Sequence, residues 1–175
     1  MNISLSHLSI ACSIAHSPLF SLTKRQAGRT FNLTKTTISW ITSSALEDWS
    51  NNNLEIRRVS FCRIGGSGVW IDGYFLQDSP VVITYECEKN FRDTVFANIT
   101  GGSNVYALYI QHSWAIITID KSMFCDIYLA QSHTTVYIRE ARLAALLRSC
   151  FHRLIAGSYT SFVISYYDED RNRDA

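Results

Sequence analysis

The sequence predicts an α+β fold, an antiparallel β-sheet meander with an amphipathic helix near the C-terminus packed on one face. Three observations predict it. Short runs rich in β-branched and aromatic residues recur between residues 54 and 138 at about ten-residue spacing, as hairpin-connected strands do. Within 139–156, Leu143, Leu146, Leu147, Cys150, Phe151 and Leu154 fall at i, i+3, i+4, i+7, i+8 and i+11, one apolar stripe at helical period. The alternating run "YTSFVISYY" that follows then returns to the sheet.

Taken in order, residues 1–30 are serine-rich and without period, and predict a flexible arm. "FNLTKTTISWIT" alternates as a strand, and "SALEDWS" places Ser44 three residues before Glu47, a capping box for a short helix. "LEIRRVSFCRI" is a strand of ambiguous facing, and "GGSG" at 65–68 is a tight connection. "VWIDGYFLQ", "PVVITYECE" and "VFANIT" are further strands, closed by the turn "GGSN". "VYALYIQHSWAIITID" is too long for one strand and divides around Gln111 to Ser113; "MFCDIYLAQ" and "TTVYI" complete the series. Gly157 supplies a left-handed cap for the helix. The chain reads as free of internal repeats: an arm at 1–30, one domain at 31–167 and a charged tail at 168–175.

Hydrophobic residues make up 47% and aromatics 13%, which excludes a disordered chain, and a formal charge of +1 gives no bulk attraction for nucleic acid. The basic residues are unevenly placed, however. Within 1–60, Lys24, Arg25, Arg29, Lys35, Arg57 and Arg58 face only Glu47, Asp48 and Glu55, so this segment is expected to meet anionic headgroups or RNA. On the expected helix, at about 100° per residue, Arg139, Arg142 and Arg153 share one flank. Their long stems cover apolar edges or grip phosphates.

Cys12, Cys62, Cys87, Cys125 and Cys150 are odd in number and widely spaced, which predicts free, mostly buried thiols and a reducing compartment. No ligand set for a metal and no cofactor fingerprint is present in the sequence, and neither is expected. The opening twenty residues carry no signal-peptide pattern, and no run approaches the ~20 apolar residues of a spanning helix. "HLSI" at His7 and "HTTV" at His133 form the paired tetrads of 2H-type phosphoesterases, in which two histidines act as acid and base. Cys125 with His112 or His133 is a second nucleophile pair to weigh. Tyr106, Tyr109, Trp114, Tyr128 and Tyr137 are expected in cross-strand packing, or as stacking faces for single-stranded RNA.

Across residues 54–165, "NLEIRRVSFCRIGGSG", the run "NVYALYIQHSWAIITIDKSMFCDIY", and the order "TTVYI", "REARLAALLRSCFHRLIAG", "YTSFVISYY" resemble the small matrix proteins of non-segmented negative-strand RNA viruses, of the bornavirus and plant rhabdovirus kind. The resemblance implies a non-enzymatic, membrane-associated structural protein of virion assembly. It would self-associate as a homo-oligomer and bridge an anionic membrane surface to a viral nucleocapsid or RNA, in the virion and the host cell cytoplasm. The alternatives are a small intracellular effector or silencing suppressor that binds a host protein or RNA, and a 2H-like phosphoesterase.

Overall fold

The computed structural model describes residues 2–13, 17–22, 29–49, 52–72, 87–101, 105–111, 115–130, 134–156 and 162–166. Among them there is no helix, and all the strand pairs are parallel. The expected antiparallel meander with a C-terminal helix is therefore corrected to a parallel β-solenoid.

The chain winds through six described turns. They comprise β1 (Ile3–Ser6), β2 (Ser9–Ser13) and β3 (Phe20–Leu22); β4 (Thr30–Ile41) and β5 (Leu46–Asp48); β6 (Asn53–Ile64) and β7 (Val69–Asp72); β8 (Cys87–Arg92), β9 (Val95–Ala97), β10 (Thr100–Gly101) and β11 (Leu108–Gln111); β12 (Ala115–Asp120), β13 (Met123–Leu129) and β14 (Val136–Ala141); and β15 (Leu143–Leu147), β16 (Cys150–Ala156) and β17 (Phe162–Tyr166). Each turn lays its strands in register on the turn before. The first stack is β1, the front half of β4, the front half of β6, then β8, β12 and β15. The second is β2, the rear halves of β4 and β6, then β9, β13 and β16. The third is β3, β5, β7, β11, β14 and β17.

The stacking rests on a repeat that the sequence does contain. Leu33-Thr34-Lys35-Thr36-Thr37-Ile38-Ser39-Trp40-Ile41 superposes by register on Ile56–Ile64, Phe91–Ile99, Ile119–Ile127 and Leu146–Leu154. In each copy the third and eighth residues have positive φ: Lys35 and Trp40, Arg58 and Arg63, Asp93 and Asn98, Lys121 and Asp126, Arg148 and Arg153. A residue in that conformation breaks the two-residue alternation, so inward side chains come at spacings of three, two and three instead of two. The inward positions fill the core: Leu33, Ile56, Phe91 and Ile119; Ile38, Phe61, Phe96 and Phe124; Ile41, Ile64, Ile99 and Ile127, all at most 1% exposed. Phe61, Phe96, Phe124 and Phe151 stack ring on ring at 5.1, 4.7 and 4.9 Å. At the corner between the first and second stacks, the hydroxyls of Thr94 and Ser122 turn inward and bond backbone carbonyls, so the bend leaves few polar groups unmet.

Segment 139–156 shows how the helical reading failed. Leu146, Phe151 and Leu154 register with Ile119, Phe124 and Ile127 and point inward, whereas Leu143, Leu147 and Cys150 register with the outward Ile116, Asp120 and Met123. The left-handed residues Arg148 and Arg153 shift the alternation by one residue each, so the apolar stripe mixes inward and outward residues and its 3.6-residue period follows no single face of the strands. The capping-box segment is likewise no helix, since Leu46–Asp48 is β5. In "GGSG", a Cβ on Gly66 would lie 2.5 Å from the Ser43 carbonyl carbon and one on Gly68 2.6 Å from the Ala107 oxygen. Both glycines let neighbouring turns close on each other.

β11 ends at Gln111 and β12 begins at Ala115, with residues 112–113 of the expected break outside the described residues, and β17 lies within the strand expected at 159–167. Ile3–Ser6, Ser9–Ser13 and Phe20–Leu22 of the expected arm are strands paired to β4 and β5. The tail at 168–175 lies outside the described residues. No helix is long and apolar enough to cross a membrane among the described residues.

Candidate ligand-binding face

Two ridges of left-handed residues border the outer face of the second stack. The first ridge is His7, Lys35, Arg58, Asp93, Lys121 and Arg148; the second is Trp40, Arg63, Asn98, Asp126 and Arg153. Left-handed residues of this kind point their side chains outward, and all but the half-buried Asp126 are exposed. Between the ridges the outward positions of turns two to four are small: Thr37 and Ser39, Ser60 and Cys62, Val95 and Ala97. The result is a flat floor edged by long polar side chains.

Electrostatics divide this face. At its N-terminal half, Thr34 pairs with Arg57 and Arg57 with Arg92, which sets Lys35 beside Arg58 and lines up Lys35, Arg57, Arg58 and Arg92. None of the four has an ion-pair partner among the described residues. Toward the C-terminal end acids enter. Arg148 grips Asp120 through Nε and Nη2 at 2.9 and 2.6 Å, and its hydrogen bonds hold that carboxyl below the ordinary carboxylate range. Arg153 Nε meets Asp126 Oδ1 at 2.5 Å. Among the described residues of this ridge and the row beside it, the unpaired positive charge therefore sits on turns two to four, with Lys121 set apart beyond Asp93.

On the second ridge, the Arg63 guanidinium lies over the Trp40 ring at 4.3 Å from its centre. Trp40 is 53% exposed. Beside it opens a recess of about 580 Å³, lined by Trp40, Arg63, Asn98, Thr100 and the backbone around Thr42 and Gly65. Thr100 in turn pairs with the exposed Tyr128.

The outer face of the third stack carries different chemistry. Trp70, Tyr109 and Tyr137 stack in register at 4.1 and 5.3 Å, with Tyr106 against them. Their faces are occupied by one another, so they act in cross-strand packing rather than as a platform. Asp72, Gln111 and Arg139 form the adjacent row, with Tyr109 Oη donating to Gln111 Oε1 at 2.6 Å. Burial, then Glu140, pushes the Asp72 carboxyl up; burial, with Asp72 and Tyr137 close by, pushes the Tyr109 phenol up to about 12.

Of the basic residues singled out in the sequence, the structure brings together Lys35, Arg57 and Arg58. Lys24 and Arg25 lie outside the described residues, and Arg29 is half-buried just before β4. Arg139, Arg142 and Arg153 do not share a flank: Arg139 is on the third stack against Glu140, Arg142 is at the bend before β15, and Arg153 is on the second ridge. Sequence reasoning missed Arg92, Trp40 and Arg63; the five-residue spacing of the left-handed positions is the signal that finds two of them. His7 is exposed on the first ridge, while His112 and His133 lie outside the described residues, so neither the paired tetrads nor a Cys125–histidine pair with them can be placed. Cys125 registers instead with His152. Cys62, Cys87, Cys125 and Cys150 are free thiols, and among these four only Cys87 is buried, against the expectation that most would be; the side chain of Cys12 lies outside the description. No group of three His, Cys, Asp or Glu side chains is placed to hold a metal among the described residues. Compared with protein-family models, with curated proteins and with solved structures, the chain matches none of them.

Proposed function

We propose that the protein is a non-catalytic binding solenoid that lays a linear anionic polymer along its first ridge and the row beside it. The observation that carries the reading is the line of Lys35, Arg57, Arg58 and Arg92 on three successive turns, with no ion-pair partner among the described residues. Turns of a parallel sheet repeat at about 4.8 Å, so the charges form two short rows side by side along the solenoid axis, Lys35 and Arg58 on the first ridge and Arg57 and Arg92 next to it. A polymer with regularly spaced phosphates, sulfates or carboxylates meets all of them at once. A flat anionic membrane would also be brought against Glu55 and Glu88, which project from the same face as Arg57 and Arg92. The test is binding of heparin and of single-stranded oligouridylate to the full chain and to a Lys35, Arg57, Arg58→Gln triple variant. Loss of binding in a folded triple variant supports the ridge, and equal binding by both proteins removes it.

A second reading is an assembly protein of the matrix kind, one that self-associates beneath a membrane in the virion and host cytoplasm. It draws on the last described turn, where Leu146 and Phe151 are 37% and 36% exposed although their counterparts Ile119 and Phe124 are at most 1%. An uncovered parallel edge with apolar side chains is a template for further strands. Light scattering over a concentration series decides it: a monomer throughout would remove this reading.

A further inference from the structure

The recess beside Trp40 is costly to maintain. A tryptophan at φ 60° is strained for so bulky a residue, and its neighbours along the ridge show that arginine, asparagine or aspartate serve the same bend. It is also 53% exposed, so the fold recovers little by burying it. Arg63 sits over one face of the ring without a carboxylate partner among the described residues, and the ridge position next to it on the following turn is the neutral Asn98. Exposed Asn98 and Thr100 add amide and hydroxyl groups from the next turn. An apolar ring face, a cation, and neutral donors and acceptors thus converge on a recess of about 580 Å³ that spans three turns.

We propose that this recess is a subsite for an acidic sugar residue, a uronate or sulfated pyranose, within an anionic polysaccharide. The C–H face of a pyranose packs on the exposed ring of Trp40, its carboxylate or sulfate pairs with Arg63, and its hydroxyls exchange hydrogen bonds with Asn98 and Thr100. A nucleobase fits the lining less well. One face of Trp40 is already taken by Arg63, and the exposed ring of Tyr128 is three turns away, about 14 Å at the spacing of a parallel sheet, so among the described residues no second ring closes a slot around a flat base. The inference rests on the reading of this side of the solenoid as a polyanion surface and names the unit recognised.

The test titrates the full chain with a heparin-derived tetrasaccharide, tetragalacturonate, the uncharged maltotetraose and an oligouridylate of similar length. Tryptophan fluorescence and calorimetry are read together, with Trp40→Phe assigning the fluorescence signal to Trp40. An acidic tetrasaccharide should change the Trp40 signal and maltotetraose should not. Trp40→Ala should weaken acidic-sugar binding about tenfold, the size of one lost stacked ring, and Arg63→Gln should abolish the preference for acidic over neutral sugar. The Lys35, Arg57, Arg58→Gln variant should weaken long heparin while leaving the tetrasaccharide response at Trp40 in place. Tetrasaccharide binding untouched by Trp40→Ala and Arg63→Gln would overturn the subsite. A Trp40 response to oligouridylate alone would overturn it in favour of RNA. Heparin binding through the ridge with no tetrasaccharide response would overturn it while leaving the ridge intact.

Discussion

Lys89 donates through Nζ to Asp48 Oδ2 at 2.6 Å inside the solenoid, with both side chains fully buried, and to the Asn52 carbonyl at 2.7 Å. The pair ties β8 of the first stack to β5 of the third through the interior. Two opposite charges out of water offset each other, but either one alone is left uncompensated in a medium that solvates it poorly. Asp48→Ala or Lys89→Met should each cost about 3 to 5 kcal/mol in urea unfolding, whereas the Asp48→Leu, Lys89→Met double variant should recover most of the loss. Single variants within 1 kcal/mol of wild type, by the same roughly set scale, would show that the pair contributes nothing.

The phenylalanine column gives a second contrast. Phe124 has a ring on each side, Phe96 at 4.7 Å and Phe151 at 4.9 Å, and is fully buried. Phe124→Ala should cost about 3 to 5 kcal/mol. The helical reading makes Leu147 a core residue with a comparable loss, but Leu147 is 47% exposed on the outer face, so Leu147→Ala should change stability by less than about 1 kcal/mol. Thermal unfolding of the two variants side by side decides between a strand and a helix at 143–147.

The β character of the described residues between 54 and 138 was legible because β-branched and aromatic residues crowd there, while most of "PVVITYECE" lies outside the described residues; "GGSG" was legible as a connection because glycine marks close approach. The solenoid was not legible. Its repeat is carried by inward positions such as Leu33, Thr36, Ile38 and Ile41, whose three-two-three spacing matches neither a strand nor a helix template. The copies are also separated by connections of unequal length: Leu33 pairs with Ile56 but Ile56 with Phe91. No fixed period appears, and side-by-side parallel strands look like consecutive hairpins. Part of the candidate site was legible as a basic excess near the N-terminus. Its alignment was not, because Arg57 meets Arg92 only through the register of β6 on β8.

Asp72 gives a pH-dependent prediction. Burial, then Glu140, raises its folded-state pKa above the unfolded value, so the folded state holds the proton more tightly. Its contribution to stability is therefore fully present below the ordinary aspartate range and is lost as pH rises through the raised value. Asp72→Asn should match wild type in acid and become the more stable protein toward neutrality. Parallel stability curves across that range would contradict the assignment.

Thiol reactivity should follow exposure and thiolate character. Cys150 is exposed and should alkylate first in the native protein. Cys87 should react last: it is buried, and burial pushes its thiol up. Cys125 should follow Cys150, since burial, with Asp126 beside it, raises its thiol as well. Peptide mass spectrometry over a labelling time course reads the order. Labelling of Cys87 before Cys150 would mean that the first stack opens more readily than the last turn frays.

The ridge predicts a specific dependence on salt. A ligand that neutralises Z cationic side chains releases counterions, and for a single-stranded polyanion log K falls against log salt with a slope near −0.7Z. Lys35, Arg57, Arg58 and Arg92 together give a slope of about −2.8 on this basis, and the triple Gln variant, with Arg92 alone, about −0.7. Asp93 and Asp120 set the limit of the ridge, because Asp93 follows Arg92 directly and Asp120 is bound to Arg148. Replacing Asp93 with Asn should therefore strengthen binding by letting Lys121 join the row, while Arg148→Gln should free Asp120 to oppose it and weaken binding. Affinities for one polymer at four or five salt concentrations read all three effects. A triple variant with an unchanged slope, or an Asp93→Asn variant that binds more weakly than wild type, would place the contact away from the first ridge.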